Sequence, residues 1–318
     1  MGTTYKKLSE IEHVLERPGM YIGSTTTERA TKFVYDSSIK KFRKKEVDWN
    51  EGFMKIYDEI VTNSFDESKR NGKLKVIEVT VNKSENTISV YDDGGIRIDK
   101  FDKTDKRYIP DVIFSSLRAG SNFNDDEVRL GAGTNGIGSV CTNIFSKSFT
   151  VETADSSKMF KVTYLNNLSG KTEPVVKQSK KHFTRITYVP DLERFGMSEI
   201  SDDFIDLMKS RLINIASQNS NLTVKFNDDS FHFSKFQEYA SLYLQELPNH
   251  LKNIEDTSDD IEENNSNDSE TENVVENQVE EIKEPEQNVS ENKEEQTNTV
   301  EDGFDIDSIG SDEPIPLF

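Results

Sequence analysis

The sequence predicts a mixed α/β body, helices alternating with a longer run of strands, followed by a charged segment that carries no packing pattern. Three observations lead there. Phe53, Ile56, Tyr57, Ile60, Val61 and Phe65 recur at three- and four-residue steps through FMKIYDEIVTNSFDESKR (53–70), the period of a helix with one buried face. Downstream, short β-rich runs such as KVIEVTV (75–81), TISVYDD (87–93) and KMFKVTYL are separated by polar turns. Beyond Pro248 aromatic residues become scarce, Glu, Asn and Asp dominate and no apolar period survives, the composition of a disordered tail.

In chain order, Ser9 and Glu12 form a capping-box pattern ahead of Ile11, Val14 and Leu15, a short helix that Pro18 stops. Residues 28–46 predict a second helix with several basic positions. The 53–70 helix follows, then 75–81 and 87–93 as an antiparallel hairpin across Asn82–Asn86, with Ile88, Val90 and Asp92 on one strand face. Gly94 and Gly95 break that strand. From Ile98 to Gly138 the sequence predicts a long irregular loop holding one short apolar piece, DVIFSSL. CTNIFS begins a helix, SKSFTVET, KMFKVTYL and FTRITYVP read as strands, and Pro190 closes the last. DDFIDLMKSRLINIAS is an amphipathic helix, LTVKFN a strand and FSKFQEYASLYLQEL a final helix. The division expected is a domain at 1–247 and an acidic tail at 248–318.

The formal net charge is -20, but it is unevenly placed. From Asn253 onward there are 23 acidic residues against Lys283 and Lys293, whereas residues 1–252 carry 36 acids and 37 bases. The acidity therefore belongs to the tail and says nothing against a body that handles polyanions. Cys141 is the only cysteine, which excludes an intramolecular disulfide and a cysteine-based zinc site and suits a reducing compartment. No apolar run approaches membrane-spanning length and MGTTYKKLSE lacks the apolar core of a signal peptide, so the expectation is a soluble cytoplasmic protein without a membrane partner.

Glu59, Asn63 and Asp66 fall on one stripe of the central helix. Two readings fit: a solvated polar stripe, or a carboxylate base beside an oxygen ligand for a hard cation such as Mg²⁺. GAGTNGIGS (131–139) runs straight into a helix, and its glycines let backbone approach a ligand closely, with phosphate the natural guest. No Gly-Lys-Ser/Thr follows, so it is not a Walker A loop.

Taken together, Glu59-x-x-x-Asn63-x-x-Asp66, Asp92-x-Gly94 and Gly133-x-Asn135-Gly136-x-Gly138 resemble, in order and spacing, the motifs of the GHKL ATPase superfamily. RPGMYIGS, LRAGSNFNDD, GTNGIGSVCTNIFS and TRITYVPDLERFG are further similar to the ATPase region of type IIA DNA topoisomerases, within which the likeness runs to the large subunit of T-even-like phage enzymes. The resemblance covers about residues 1–247. It implies a two-layer (Bergerat) sandwich of a mixed sheet and helices, with ATP and Mg²⁺ as cofactors. It implies Glu59 as general base, Asn63 as Mg²⁺ ligand, and Asp92 as acceptor for the adenine amino group, with Thr184 assisting through water. Asp66 and Gly94 complete the nucleotide motifs, and Ser121, Asn122 and the backbone of Asn135, Gly136, Ile137 and Gly138 would hold the phosphates.

Three departures accompany the resemblance. Ile96 stands where the first glycine box has its second glycine, as if one residue had been lost. Val140 stands where some eukaryotic relatives carry a phosphate-facing lysine. The family continues into a domain that supplies a switch lysine and then into metal-binding and DNA-cleavage domains, for which this sequence shows no counterpart. The resemblance therefore implies a split enzyme whose other subunits complete strand passage, DNA being engaged indirectly and a homodimer forming with ATP. The alternative is a stand-alone ATP-dependent binding module or decoy. The final DSIGSDEPIPLF resembles the acidic, phenylalanine-ending tips of bacterial single-stranded DNA-binding proteins, which implies a replication protein as a further partner.

Overall fold

A computed structural model of the chain describes residues 7–70, 72–101, 104–117 and 137–244. The first helix, α1 (Glu10–Glu16), is closed by the expected capping box: the Ser9 hydroxyl accepts from the Glu12 N–H, and the Glu12 carboxylate accepts from the Ser9 N–H. A short 3-10 turn at Pro18–Met20 follows.

The next segment corrects the sequence reading. Residues 28–46 form no helix; β1 (Glu28–Asp36) and β2 (Lys41–Trp49) make an antiparallel hairpin. Asp36 accepts from both the N–H and the hydroxyl of Ser38, and Lys40 takes a left-handed φ of 52°, which closes the turn. Val34 and Tyr35 are consecutive yet both buried, because both faces of the hairpin are partly covered. The Tyr35 ring meets Phe42 and Phe231, and its N–H donates to Ser210.

Helix α2 (Glu51–Arg70) runs as the sequence period requires, burying Phe53, Ile56, Tyr57, Ile60, Val61 and Phe65. Its start is fixed by Asn50, fully buried, whose side-chain oxygen accepts the Phe53 N–H while its amide donates to the carbonyls of Thr25 and Phe195. The expected hairpin follows as β3 (Val76–Asn82) and β4 (Thr87–Asp92). Part of the expected loop after Ile98 is instead a helix, α3 (Ile109–Ser115), with Pro110 in its first turn where a missing N–H costs nothing. Then come α4 (Gly138–Ile144), β5 (Ser146–Asp155), β6 (Lys158–Leu165), β7 (Gly170–Lys171), β8 (Val175–Gln178) and β9 (His182–Pro190). A 3-10 turn at Leu192–Phe195, α5 (Asp202–Ala216), β10 (Thr223–Phe226), β11 (Asp229–Phe231) and α6 (Phe236–Ala240) complete the described chain.

The last helix is shorter than its sequence suggests. The Ser241 and Leu242 carbonyls are taken by the Lys41 ammonium at 2.6 Å and the Phe42 N–H at 2.7 Å, so the chain turns onto the hairpin after Ala240. Residues 245–318, and with them the boundary expected at 247, lie outside the described residues.

Among the described residues nine strands form one mixed sheet in the order β11-β10-β3-β4-β9-β5-β6-β7, with β8 also on β6, and of these pairs only β10 and β3 run parallel. The helices α2, α3, α4 and α5 pack against strands of this sheet, and the strand positions facing them, among them Ile77, Val79, Ile88, Val90, Phe149, Val151, Val162, Ile186 and Tyr188, are buried. The opposite face reads as water-facing. One cross-strand row runs Lys225, Glu78, Tyr91, Arg185, Glu152, Lys161, with ion pairs of 2.6 Å and 3.0 Å at its ends and Arg185 over the Tyr91 ring. The next row is all hydroxyls: Thr80, Ser89, Thr187, Thr150, Thr163. A two-layer sandwich with one packed and one solvated sheet face results.

Asp111 fastens α3 to this sheet. It is 1% exposed, accepts the Tyr164 hydroxyl at 2.7 Å and pairs with the Lys171 ammonium at 2.6 Å. Asp111→Ala is expected to destabilise the fold by about 2 kcal/mol, since it leaves the buried Tyr164 phenol only the longer bond to the residue-111 carbonyl, at 3.2 Å, while Lys171, a third exposed, can still reach water. Urea unfolding measures it.

Candidate active site

The residues singled out on α2 do not share one environment. Glu59 is partly buried, Asn63 is exposed and Asp66 is 6% exposed, so the stripe is not simply a solvated face. Glu59 lies against Gly138, the first residue of α4, where any Cβ would overlap its carboxylate. Only glycine permits this approach, which explains the last glycine of the loop in steric terms. Ile137, half-buried against the core, is the residue that leads into the helix. The Thr142 hydroxyl donates to the Ile56 carbonyl at 2.9 Å and ties α4 to α2 at this level. Val140 has no exposed surface and belongs to the core. Its neighbour Cys141 has a thiol pushed up to about 12 by burial, with the Glu59 charge adding to the effect, so it stays protonated.

The second half of the site is built on β4. Asp92, the last residue of the strand, is 6% exposed and faces α2, where it accepts the Ser64 hydroxyl at 2.6 Å and the Gly94 N–H at 3.0 Å. Burial pushes its carboxyl up to about 7 despite those two donors, and the charges of Asp93 and Glu67 push the same way. Thr184 is its direct cross-strand partner, also buried, and its hydroxyl meets that of Thr153 at 3.0 Å. Thr153 in turn accepts the Ile96 N–H at 3.0 Å.

The shortened glycine box has a physical answer here. A Cβ on Gly95 would run into the Ala154 carbonyl, and one on Gly94 would sit 2.9 Å from Leu74 and 3.1 Å from Asp92. Gly95 thus supplies the close approach one position early, and Ile96 needs none. Ser121, Asn122, Asn135 and Gly136 lie outside the described residues.

Sequence reasoning missed four participants. Ser64 had a signal, a hydroxyl inside the apolar stripe of α2. Lys55 also had one, standing four residues before Glu59 and contacting it. Glu67, beside Gly94, and Thr153, two strands from Asp92, had none, because only the assembled sheet brings them there.

Similarity to known proteins agrees with this geometry. No protein-family model matches the chain. It is 38% identical over 250 residues to DNA topoisomerase 2 top-2 of Caenorhabditis elegans, covering 77% of this chain and 16% of that protein. Against DNA topoisomerase 2 of Saccharomyces cerevisiae it is 37% identical over 248 residues, covering 76% and 17%. The solved ATPase region of Saccharomyces cerevisiae topoisomerase II superposes with a TM-score of 0.73 at 36% identity, over 75% of this chain and 64% of that one. This chain belongs to the type IIA DNA topoisomerase family, and the part of the family that it matches is the ATPase region. The ATPase and transducer domains of the Balamuthia mandrillaris enzyme match similarly, with a TM-score of 0.72 over 75% and 63%. The chain spans about a sixth of the length of the curated relatives named here, which are eukaryotic. Among its described residues no helix is long and apolar enough to cross a membrane.

A nucleotide's exocyclic amine fits the residues present, since the Asp92 carboxylate is a buried acceptor at the end of its strand. Asn63, exposed on α2, carries an amide oxygen of the kind a hard cation such as Mg²⁺ takes alongside water; among the described residues no group of three or more His, Cys, Asp or Glu could hold a metal ion.

Proposed function

We propose that this chain binds and hydrolyses ATP as the energy-supplying module of a type IIA topoisomerase, acting on DNA topology with partner subunits that carry the metal-binding and cleavage domains. The single observation that carries the reading is the Glu59 carboxylate held against Gly138, with a buried amine acceptor, Asp92, on the neighbouring strand end. In this reading Asp92 accepts the adenine amino group, with Thr184 assisting through water. Asn63 holds Mg²⁺, which supplies neutralisation of phosphate charge when bound. Ser121, Asn122, Asn135, Gly136, Ile137 and Gly138 hold the phosphates, Asp66 and Gly94 support the nucleotide's floor, and Glu59 takes the proton of the attacking water. The ATPase domain is 1–247, and 248–318 is an acidic segment whose end engages a replication protein. Two copies associate when ATP binds. The compartment that suits the reading is the cytoplasm of a bacterial or phage-infected cell, on the likeness to T-even-like phage subunits.

A stand-alone binding module is disfavoured because an intact, positioned Glu59 serves no purpose in a site that only binds. The deciding experiment is calorimetry with a non-hydrolysable ATP analogue and Mg²⁺, paired with phosphate release by the same preparation. Heat of binding and slow release that rises on adding the partner subunits is the expected outcome. Absence of heat at millimolar analogue, with no rise in melting temperature, would overturn the reading, since a ligand that binds the native state must stabilise it.

A further inference from the structure

Glu59 has two carboxylate oxygens in different surroundings. Oε1 is 2.5 Å from the ammonium of Lys55, one turn earlier on α2. Oε2 is the atom that a Cβ on Gly138 would strike first. One oxygen is therefore tied to the base's own helix, and the other is turned to the start of α4.

Helix stability does not explain the pair. A lysine four residues before a glutamate is the weaker of the two orientations, worth at most a few tenths of a kcal/mol. Lys55 is 45% exposed, and pairs of that kind contribute little to folding. The other acid within reach is already engaged: Asp58 binds Arg211 at 2.5 Å and accepts the Thr62 hydroxyl. Lys55 is left to Glu59 alone among the ion pairs of the described residues. Partial burial disfavours its charge, but the Glu59 contact more than offsets this, and the ammonium titrates above the ordinary lysine value.

We propose that Lys55 is a positioning residue: its ammonium holds Oε1 of Glu59 so that Oε2 is the oxygen presented beside Gly138 to the attacking water. The proposal rests on the ATP-hydrolysing reading of this site. In the step itself the water oxygen bonds to the γ-phosphorus as the bond to the β,γ-bridging oxygen breaks. The water's proton passes to Oε2, ADP and phosphate leave, and Lys55 keeps its proton throughout. Without the ammonium, the long glutamate side chain is free to leave the one rotamer in which Oε2 faces Gly138.

The test compares the full chain with Lys55→Met, Lys55→Arg and Glu59→Gln. Lys55→Met is expected to lower kcat by about 10- to 100-fold, the usual consequence of a misplaced reacting group. Its KM for ATP should stay within about twofold, because no ground-state contact to nucleotide is removed. Its melting temperature should be unchanged, and Lys55→Arg should recover most of the rate. In nucleotide-free protein, ¹⁵N NMR of the Lys55 ammonium should titrate lower in Glu59→Gln than in the wild type. A wild-type kcat in Lys55→Met, a KM that rises in step with the loss, or no recovery by arginine would overturn the proposal. If wild-type protein released no more phosphate than Glu59→Gln, the hydrolytic reading would fall. The NMR comparison would then still decide whether the pair exists, and an unmoved Lys55 titration would show that it does not.

Discussion

Glu59→Gln is expected to bind ATP as well as the wild type and to hydrolyse it about 10²- to 10⁴-fold more slowly, the span associated with loss of a general base. Glutamine keeps the length of the side chain and its fit against Gly138, but an amide cannot take a proton from water. The same substitution cuts the contact to Lys55, so the loss should fall toward the upper part of that span. Calorimetry gives the affinity and single-turnover phosphate release gives the rate. Equal loss of both would reassign Glu59 from the chemistry to holding the nucleotide. Gly138→Ala attacks the same contact from the other side by driving a methyl group into the carboxylate. It is expected to lose activity as well, because the methyl displaces the Glu59 carboxylate from beside Gly138.

That two substitutions on separate segments converge on one carboxylate was legible in the sequence only as motif order. Glu59 and Gly138 are 79 positions apart, and neither periodicity nor turn chemistry measures their distance. What the sequence displayed well was local. The apolar stripe of α2, the Ser9–Glu12 capping box and the alternation of β3 and β4 each follow from a period or a cap, and each is present. What it hid was tertiary override. Ala30, Phe33 and Val34 carry a helical spacing, yet the segment is a strand, since Thr31, Phe33, Val34 and Tyr35 prefer a pleated surface and the hairpin is partly covered on both faces around Val34 and Tyr35. Burial of consecutive residues erased the two-residue alternation that would have marked it. The final helix stops for the opposite reason: its own residues favour helix, but after Ala240 the Leu242 and Tyr243 N–H groups turn to the carbonyls three residues back, and the hairpin draws the Ser241 and Leu242 carbonyls to itself. Within the site, the carboxylates stood out by type, whereas Thr153 became visible only when β5 and β9 came into register.

Asp92 makes the other large prediction, a pH dependence that runs through both stability and binding. In the unfolded chain its carboxyl titrates near the ordinary value of about 4. In the fold, burial pushes it up to about 7, against the Ser64 and Gly94 donors. Between these values the native state holds the proton more tightly than the unfolded state. This group's contribution is therefore fully present below pH 4, is lost as pH rises toward 7, and is flat above that. A shift of roughly three units corresponds to something on the order of 4 kcal/mol, a sizeable share of the stability of a domain. Nucleotide reverses the preference, because an exocyclic amine donating to Asp92 favours the ionised carboxylate. ATP binding is accordingly expected to release close to one proton per nucleotide around pH 6, read from calorimetry in buffers of different ionisation enthalpy, with affinity rising up to pH 7 and levelling above it. Asp92→Asn keeps an oxygen acceptor and cannot ionise, so in this variant both the proton release and its share of the stability slope should disappear. Inosine triphosphate, which lacks the amine, should bind the wild type without releasing the proton. If Asp92→Asn showed the wild-type slope between pH 5 and 7, the titrating group would be another residue and Asp92 would be ionised in the fold across that range.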